Sequence, residues 1–419
     1  MNSIAIEKSI IYLFPVIIAV FLVQALGYSN PYTPWVFALY YVVAGFSSFS
    51  KIRRYSFFKS FFLIWFLYIL ISSLTIDLPT KYVTEEFKRF VAPTLFVFVG
   101  MYSRNERMYK VLVYSIFFSV VAGFFLMIFR PAWYVGFLID CYSSTSHENA
   151  SSIISTAFRF QSFFPEPYAI SYFVTFSLCI VMCDVINRTR IVKDVRILYG
   201  MIASFVIAII LSGFRIALAY MAILFLCIMV YNMQNGKRYK RNLTGAIISI
   251  IVVLLTAYVF ISSSSRFEVV SQNLSERLSN FSYEEAMEGS RTTQREKVFE
   301  SWNNVVFGEG TGSRGAQARI DGLPAITDGG YVKMLVENGI VGLIMFALIM
   351  LITLRKGIKN MKYFLTELLI IGYGLVSMIG ANSLSISWCY SLPFWFAVGR
   401  IWNYNILQLR IKKFEQVYK

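Results

Sequence analysis

Arg159, Arg215, Arg291, Arg295 and Arg314 stand in or beside apolar runs, in connecting segments that hold few lysines. A guanidinium offers a planar fork of N–H donors that matches two phosphate oxygens at once, and its charge is not titrated away near lipid. The chemistry this allows is the holding of a lipid-linked diphosphate. The same side chains can instead pair with loop acids such as Glu284, Glu285 and Glu296, or extend to lipid headgroups. Arg215 is the sharpest case, because the stretch around it, "SFVIAIILSGFRIALAYMAILFLC" (204–227), contains no acid.

Two carboxylates stand among these bases. Glu166 lies between prolines in "FFPEPYAISYF", where the rings fix the backbone and a helix can start only at Pro167. Asp328 precedes a Gly-Gly pair in "LPAITDGGYVKMLVENGIVGLIMF". A carboxylate at a membrane-face cavity can take the proton of a sugar hydroxyl as general base. Asp328 can equally cap the helix that follows, and Glu166 can be part of a rigid turn. His147, the single histidine, sits in the polar stretch "SSTSHENASS" and reads as a solvated loop residue. One histidine builds no multi-histidine metal site, and four of the five cysteines fall in apolar runs, so neither a metal nor a disulfide framework is expected.

The elements that must position these groups are membrane helices. The chain is 57% hydrophobic and 15% charged, with mean hydropathy +0.61, against about 45–50% apolar and about 25% charged in soluble domains. Apolar runs of about 17–25 residues recur from end to end, each able to cross the hydrocarbon core as a helix. The pattern predicts an all-α integral membrane protein of about twelve transmembrane helices, near 10–26, 32–49, 57–76, 90–102, 111–129, 168–186, 197–212, 216–231, 243–261, 330–353, 363–380 and 387–401. The first run has no small-residue cleavage site behind it and reads as a retained helix. From Tyr199 to Tyr231 a single helix would reach about 50 Å, too long for one crossing, so two helices are expected to turn at "SGFR" and leave Arg215 near a membrane face.

The net charge of +16 is explained by topology rather than by a nucleic-acid partner, which is not expected. One alternating set of connecting segments holds about 25 Lys+Arg against about 6 Asp+Glu, the other about 14 against 17, which puts both termini in the cytoplasm. Two outer segments are long, 130–167 and 262–329. The expected organisation is therefore helices one to nine over 1–261, a large periplasmic loop over 262–329, and helices ten to twelve with a basic cytoplasmic tail over 330–419. Within the large loop, Phe267, Val270, Leu274 and Leu278 have the spacing of an amphipathic helix. A second helix is expected after Thr293, ending at Gly308 and Gly310, with Arg291, Arg295, Phe299 and Trp302 on one face.

These stretches together resemble the O-antigen polymerase and O-antigen ligase superfamily, Wzy-type and WaaL-type. The resemblance rests on "RFQSFFPEPYAIS" (159–171), "LSGFRIALA" (211–219), "GSRTTQREKVFESW" (289–302) followed by "FGEGTGS" (307–313), and "DGGYVKMLVENGIVGLI" (328–344), in that order. It implies a glycosyltransferase of the inner membrane, active at the periplasmic face, with no metal and no cofactor. Polyprenyl diphosphate would be its leaving group, and undecaprenyl-diphosphate-linked oligosaccharides both donor and acceptor. Arg215 fits the family's arginine in a late helix, and Arg291 or Arg295 the loop arginine ahead of the tryptophan. With Arg159 these would bind the diphosphate, while Tyr331, Arg314 and Trp302 would line the substrate cavity. The ligase branch is expected to carry a histidine three residues before the tyrosine that opens the post-loop helix, and here that residue is Asp328. This favours a polymerase of repeat units with Asp328 or Glu166 as base, the alternatives being ligation to lipid A-core or export of the lipid-linked oligosaccharide. Membrane lipids and a chain-length-regulating protein are the further partners implied.

Overall fold

The computed structural model describes residues 32–52, 57–75, 78–103, 106–138, 159–164, 167–187, 191–235, 296, 298–326, 328–385 and 390–418. The expected first and ninth spans and the amphipathic helix at 267–278 lie outside these residues. Every regular element among the described residues is helical. In chain order they are α1 (Thr33–Lys51), α2 (Phe57–Thr75), α3 (Thr80–Glu86), α4 (Phe96–Tyr102), α5 (Arg107–Phe129), α6 (Pro167–Asn187), α7 (Val195–Ser212), α8 (Arg215–Asn235), α9 (Ala316–Ile320), α10 (Gly330–Lys359), α11 (Met361–Gly380), α12 (Leu392–Ile401) and α13 (Tyr404–Tyr418).

Among the described residues five helices are long and apolar enough to cross a membrane: α5, α6, α7, α10 and α11. Shorter apolar helices cover Phe57–Ser72, Arg215–Val230 and Leu392–Ile401. The chain is thus a multi-pass helical membrane protein. It divides into two compact units, one of Met1–Asn30 with Glu106–Ser282, the other of Pro31–Asn105 with Tyr283–Lys419.

In the first unit α6 is buried along its whole apolar length and packs with α5, α7 and α8. Two aspartates close the connection from α6 to α7. The buried Asp184 carboxylate accepts from the amides of Ile191 and Val192, and Asp194 caps α7 by accepting from Arg196 N at 2.8 Å. The α7 helix ends at Ser212, Gly213 follows with φ of 62°, and Arg215 is the first residue of α8. Glycine suits this left-handed position, so the turn at "SGFR" forms where the length argument requires it.

The second unit is built on aromatic packing. Trp65 of α2 and Trp395 of α12 lie 5.6 Å apart between ring centres, and Phe62, Phe98 and Phe346 close around them. The close approach of α4 and α12 depends on Gly100 and Gly399, since a Cβ on either would strike a backbone carbonyl, that of Phe396 or Val97. The span expected at 90–102 is part of a longer helical run. It begins at Thr80, widens to a π-helical turn over Phe87–Val91, and resumes through Ala92–Thr94 into α4. Pro93 accounts for the widening, because it has no N–H for Arg89 O and its ring crowds that carbonyl. The tail reads as charge alone in the sequence but folds as α13, tied back by Arg410, which donates to both oxygens of buried Glu367 at 2.9 Å.

Candidate functional site

In the first unit "RFQSFFPEPYAIS" and "LSGFRIALA" are brought together. Phe160 N donates to Leu211 O at 3.1 Å, Ser171 Oγ donates to Ser212 Oγ at 2.6 Å, and the Phe214 ring meets Tyr172 edge-on at 5.4 Å. Ser162, with φ of 53°, anchors the incoming segment by donating its hydroxyl to Ser119 O at 2.6 Å and accepting from Tyr134 OH at 3.1 Å. Such a conformation costs on the order of 1–3 kcal/mol and persists because its polar groups are satisfied. The result is a fixed turn with Arg159 half-buried on the segment entering it and Arg215 exposed at the start of α8. A helix start also favours anions through its unpaired amides. Glu166, Arg291, Arg295 and His147 lie outside the described residues.

In the second unit "FGEGTGS" and "DGGYVKMLVENGIVGLI" are laced together by backbone. The α10 helix breaks at Gly339, which has φ of 66°. The carbonyls freed on one side accept from the loop, with Glu309 N to Val336 O at 3.0 Å and Gly310 N to Glu337 O at 2.9 Å. The amides freed on the other side donate to it, Ile340 N to Val305 O at 3.0 Å and Val341 N to Val306 O at 3.2 Å. Tyr68 OH completes the junction on Asn338 O at 2.8 Å, and Thr311 Oγ1 donates to Asn338 Oδ1 at 2.6 Å. The loop therefore substitutes for one turn of helix, and the polar groups of the break stay paired at a depth where unpaired ones are costly. A Cβ on Gly339 would strike Val306 O, and one on Gly308 would strike Glu337 O.

Beneath this junction lies a buried ion cluster. Lys333 Nζ donates to Glu86 Oε1 at 2.6 Å and to Ser385 Oγ at 3.1 Å, and is 3.9 Å from Glu337 Oε1. Glu86 and Glu337 are 2% exposed and Lys333 5%. One ammonium thus faces two carboxylates. Glu337 Oε1 has further support in accepting from Arg314 N at 3.1 Å. The cluster lines a cavity of about 20 Å³ together with Asn338, Asn382 and Met378. That volume holds a water and excludes a sugar ring.

Arg314, expected in the substrate cavity, is turned into the loop itself. Its Nε donates to Glu309 Oε2 at 2.7 Å, one Nη to Pro324 O at 3.2 Å and the other to Ser301 Oγ at 2.8 Å. Trp302 is half-buried against Val298, Ile326 and Val336, and its indole N–H reaches Asn304 O at 3.2 Å. The helix around it stops at Glu300 rather than continuing to Gly308. Beyond that end Asn304 turns the chain, its Oδ1 accepting from Phe307 N and its carbonyl from Gly308 N. Tyr331 is half-buried on α10 and donates to Leu375 O at 2.9 Å.

Asp328 is half-buried, and the N-cap position of α10 belongs to Gly329, with φ of 96° and no side-chain cap. Asp328 thus stands one residue ahead of the N-cap, the position expected for it. The backbone is pinned on both sides of it. Ile326 N donates to Arg314 O, Asn382 Nδ2 donates to Ile326 O, and Gly330 N donates to Ala381 O. Near the loop's other turn, Asp321 lies below the usual carboxylate range, held by Lys81 and then by Tyr82, whose phenol it pushes up in return. These contacts tie α9 to α3.

Sequence reasoning missed Glu86, Lys333, Glu337, Tyr68 and the break at Gly339. Two signals were present: ionisable residues at four-residue spacing inside an apolar span, and an Asn-Gly pair in its middle. Glu86 had none, because its partner lies 247 residues away.

Compared with known proteins, residues 173–347 match the family model described as O-antigen ligase. None of the curated proteins matches the chain. The matched stretch runs from Phe173 of α6 to Ala347 of α10, and so takes in Arg215, Arg291, Arg295, Asp328 and Tyr331.

Proposed function

We propose, from the premise that this match places the chain in the O-antigen polymerase/ligase superfamily, that the protein polymerises undecaprenyl-diphosphate-linked oligosaccharide repeat units at the periplasmic face of the inner membrane. The product is O-antigen or a related surface polysaccharide. The nascent glycan leaves its carrier as the terminal hydroxyl of a new lipid-linked repeat attacks the anomeric carbon. A carbon–oxygen bond to the sugar forms, the bond to the diphosphate breaks, and the hydroxyl proton passes to a base.

Arg215, with Arg159, Arg291 and Arg295, neutralises the departing diphosphate. Fixed donors of this kind act on charge as it develops, and losing one costs about 10²–10³ in rate. Asp328 is the base in this reading, with Glu166 as the other carboxylate able to serve. The observation that carries the reading is the placement of Asp328. It is half-buried on a segment pinned at both sides, one residue before the N-cap Gly329 and three before Tyr331. A carboxylate there, with the only histidine at position 147, supports polymerase over ligase.

Ligation of finished polymer to lipid A-core is the second reading, favoured by the description of the matching family. Deleting the gene and separating lipopolysaccharide on a gel distinguishes the two. Core bearing a single repeat is the expected result. Bare core, with polymer still on the lipid carrier, would assign the ligase instead.

A further inference from the structure

The exposed turn Val305–Phe307 sits at the broken point of α10. Val305, Val306 and Phe307 are 44%, 51% and 58% exposed, although their carbonyls are bonded to Ile340 N, Val341 N and Tyr68 OH. Three consecutive large apolar side chains facing outward from a loop are unusual for a water-facing surface. Below the break, the exposed face of α10 runs through Ile340, Ile344, Leu348 and Leu351, at helical spacing. Beside it α2 exposes Ile64, Leu67 and Ile71, and Tyr68 of that helix reaches both the turn and Asn338. The turn therefore continues two apolar stripes on helices of membrane-spanning character.

From this continuity we infer that Val305–Phe307 is embedded in bilayer hydrocarbon, so that the large loop is moored in the outer leaflet by lipid acyl chains. Irregular backbone is tolerated at such depth only when its polar groups are satisfied within the protein. Here they are, since the loop carbonyls fill the gap in the α10 ladder and Asn304 accepts from the amides of Phe307 and Gly308. The inference rests on the chain spanning a membrane and not on which transfer reaction it catalyses. Its consequence is that the loop carrying Arg314 and Asp328 keeps a fixed depth relative to lipid-borne substrates.

The test uses the full chain in phosphatidylethanolamine/phosphatidylglycerol vesicles, with its five cysteines replaced by alanine and a fluorophore attached at Val306→Cys. Ile344→Cys and Glu300→Cys serve as lipid and water references. Quenching by nitroxide-labelled lipids at position 306 within about twofold of that at 344, with weak quenching by aqueous iodide, is expected. Iodide quenching as strong as at 300 overturns the inference, and so does protection from both quenchers, which would mean that protein covers the turn. A measurement on the unaltered chain decides the matter if the cysteine-free protein does not fold. A diazirine phospholipid should insert into 305–307 on illumination, and insertion at Ile344 without any there overturns the inference equally.

Discussion

Arg215 and Arg314 look alike in the sequence, each an arginine within two residues of a glycine in a stretch that resembles the same family, yet the structure gives them opposite settings. Arg314 is buried and its guanidinium is divided among Glu309, Pro324 and Ser301. Arg215 is exposed at the first position of α8, on a turn held rigid by other residues. The same contrast runs through the regions around them. Near Arg215 hydroxyls and aromatic rings fix the backbone and the arginine is exposed, whereas near Arg314 the charges themselves are the mortar. Arg314, a cation that holds the fold, is saturated by protein acceptors. Arg215, exposed on its turn, is the one proposed to act on the substrate.

The comparison breaks if exchanging these arginines gives the same phenotype. Arg215→Ala should leave the protein in the membrane at normal level while abolishing polymer, a loss on the order of 10²–10³ in rate. Arg215→Lys should restore only part of it, because the bidentate fork is lost. Arg314→Ala should instead lower the amount of folded protein, since breaking a largely buried ion pair costs about 3–5 kcal/mol. Quantifying membrane-bound protein by immunoblot alongside the polysaccharide ladder separates the two outcomes.

Next in size is Gly339→Ala. It places a side chain at φ of 66° and against Val306 O, so the junction of loop and helix must open. A loss of about 1–3 kcal/mol or more in thermal unfolding is expected, with the loop becoming sensitive to protease. An unchanged melting curve would mean that the helix does not need its break. Lys333→Met should be destabilising as well, because it leaves Glu86 and Glu337 facing each other in a buried site. Adding Glu86→Gln to it should recover stability, a sign of coupling that a double-mutant cycle reads directly. The smallest effect belongs to His147→Ala, which should leave the ladder unchanged.

What the sequence discloses follows from how local each determinant is. The turn at Gly213 is legible because too many apolar residues stand in a row for one crossing, and a glycine marks where the excess folds back. Arg215 is legible for the same reason, as a charge with no local acid. The break at Gly339 carries only a faint local mark, the Asn-Gly pair, because what makes a broken ladder tolerable is the loop from Val305 to Gly310, far from it in sequence. The glycines misplace the end of the loop helix, which stops at Glu300, and a separate turn held by the Asn304 side chain intervenes before they are reached. Asp328 reads in the sequence as base or cap with equal right. The structure moves the N-cap position one residue on, to the left-handed Gly329.

The central claim is that Asp328 accepts the proton of the attacking hydroxyl, and Asp328→Asn tests it most directly. Asparagine keeps the shape of the side chain and caps a helix about as well as aspartate, so the variant should be present in the membrane at wild-type level. Assayed in cells by lipopolysaccharide electrophoresis, it should give core bearing one repeat and no ladder, while Glu166→Gln retains some polymer. A full-length ladder from Asp328→Asn at normal protein level would contradict the account and pass the proton either to Glu166 or directly to the departing diphosphate.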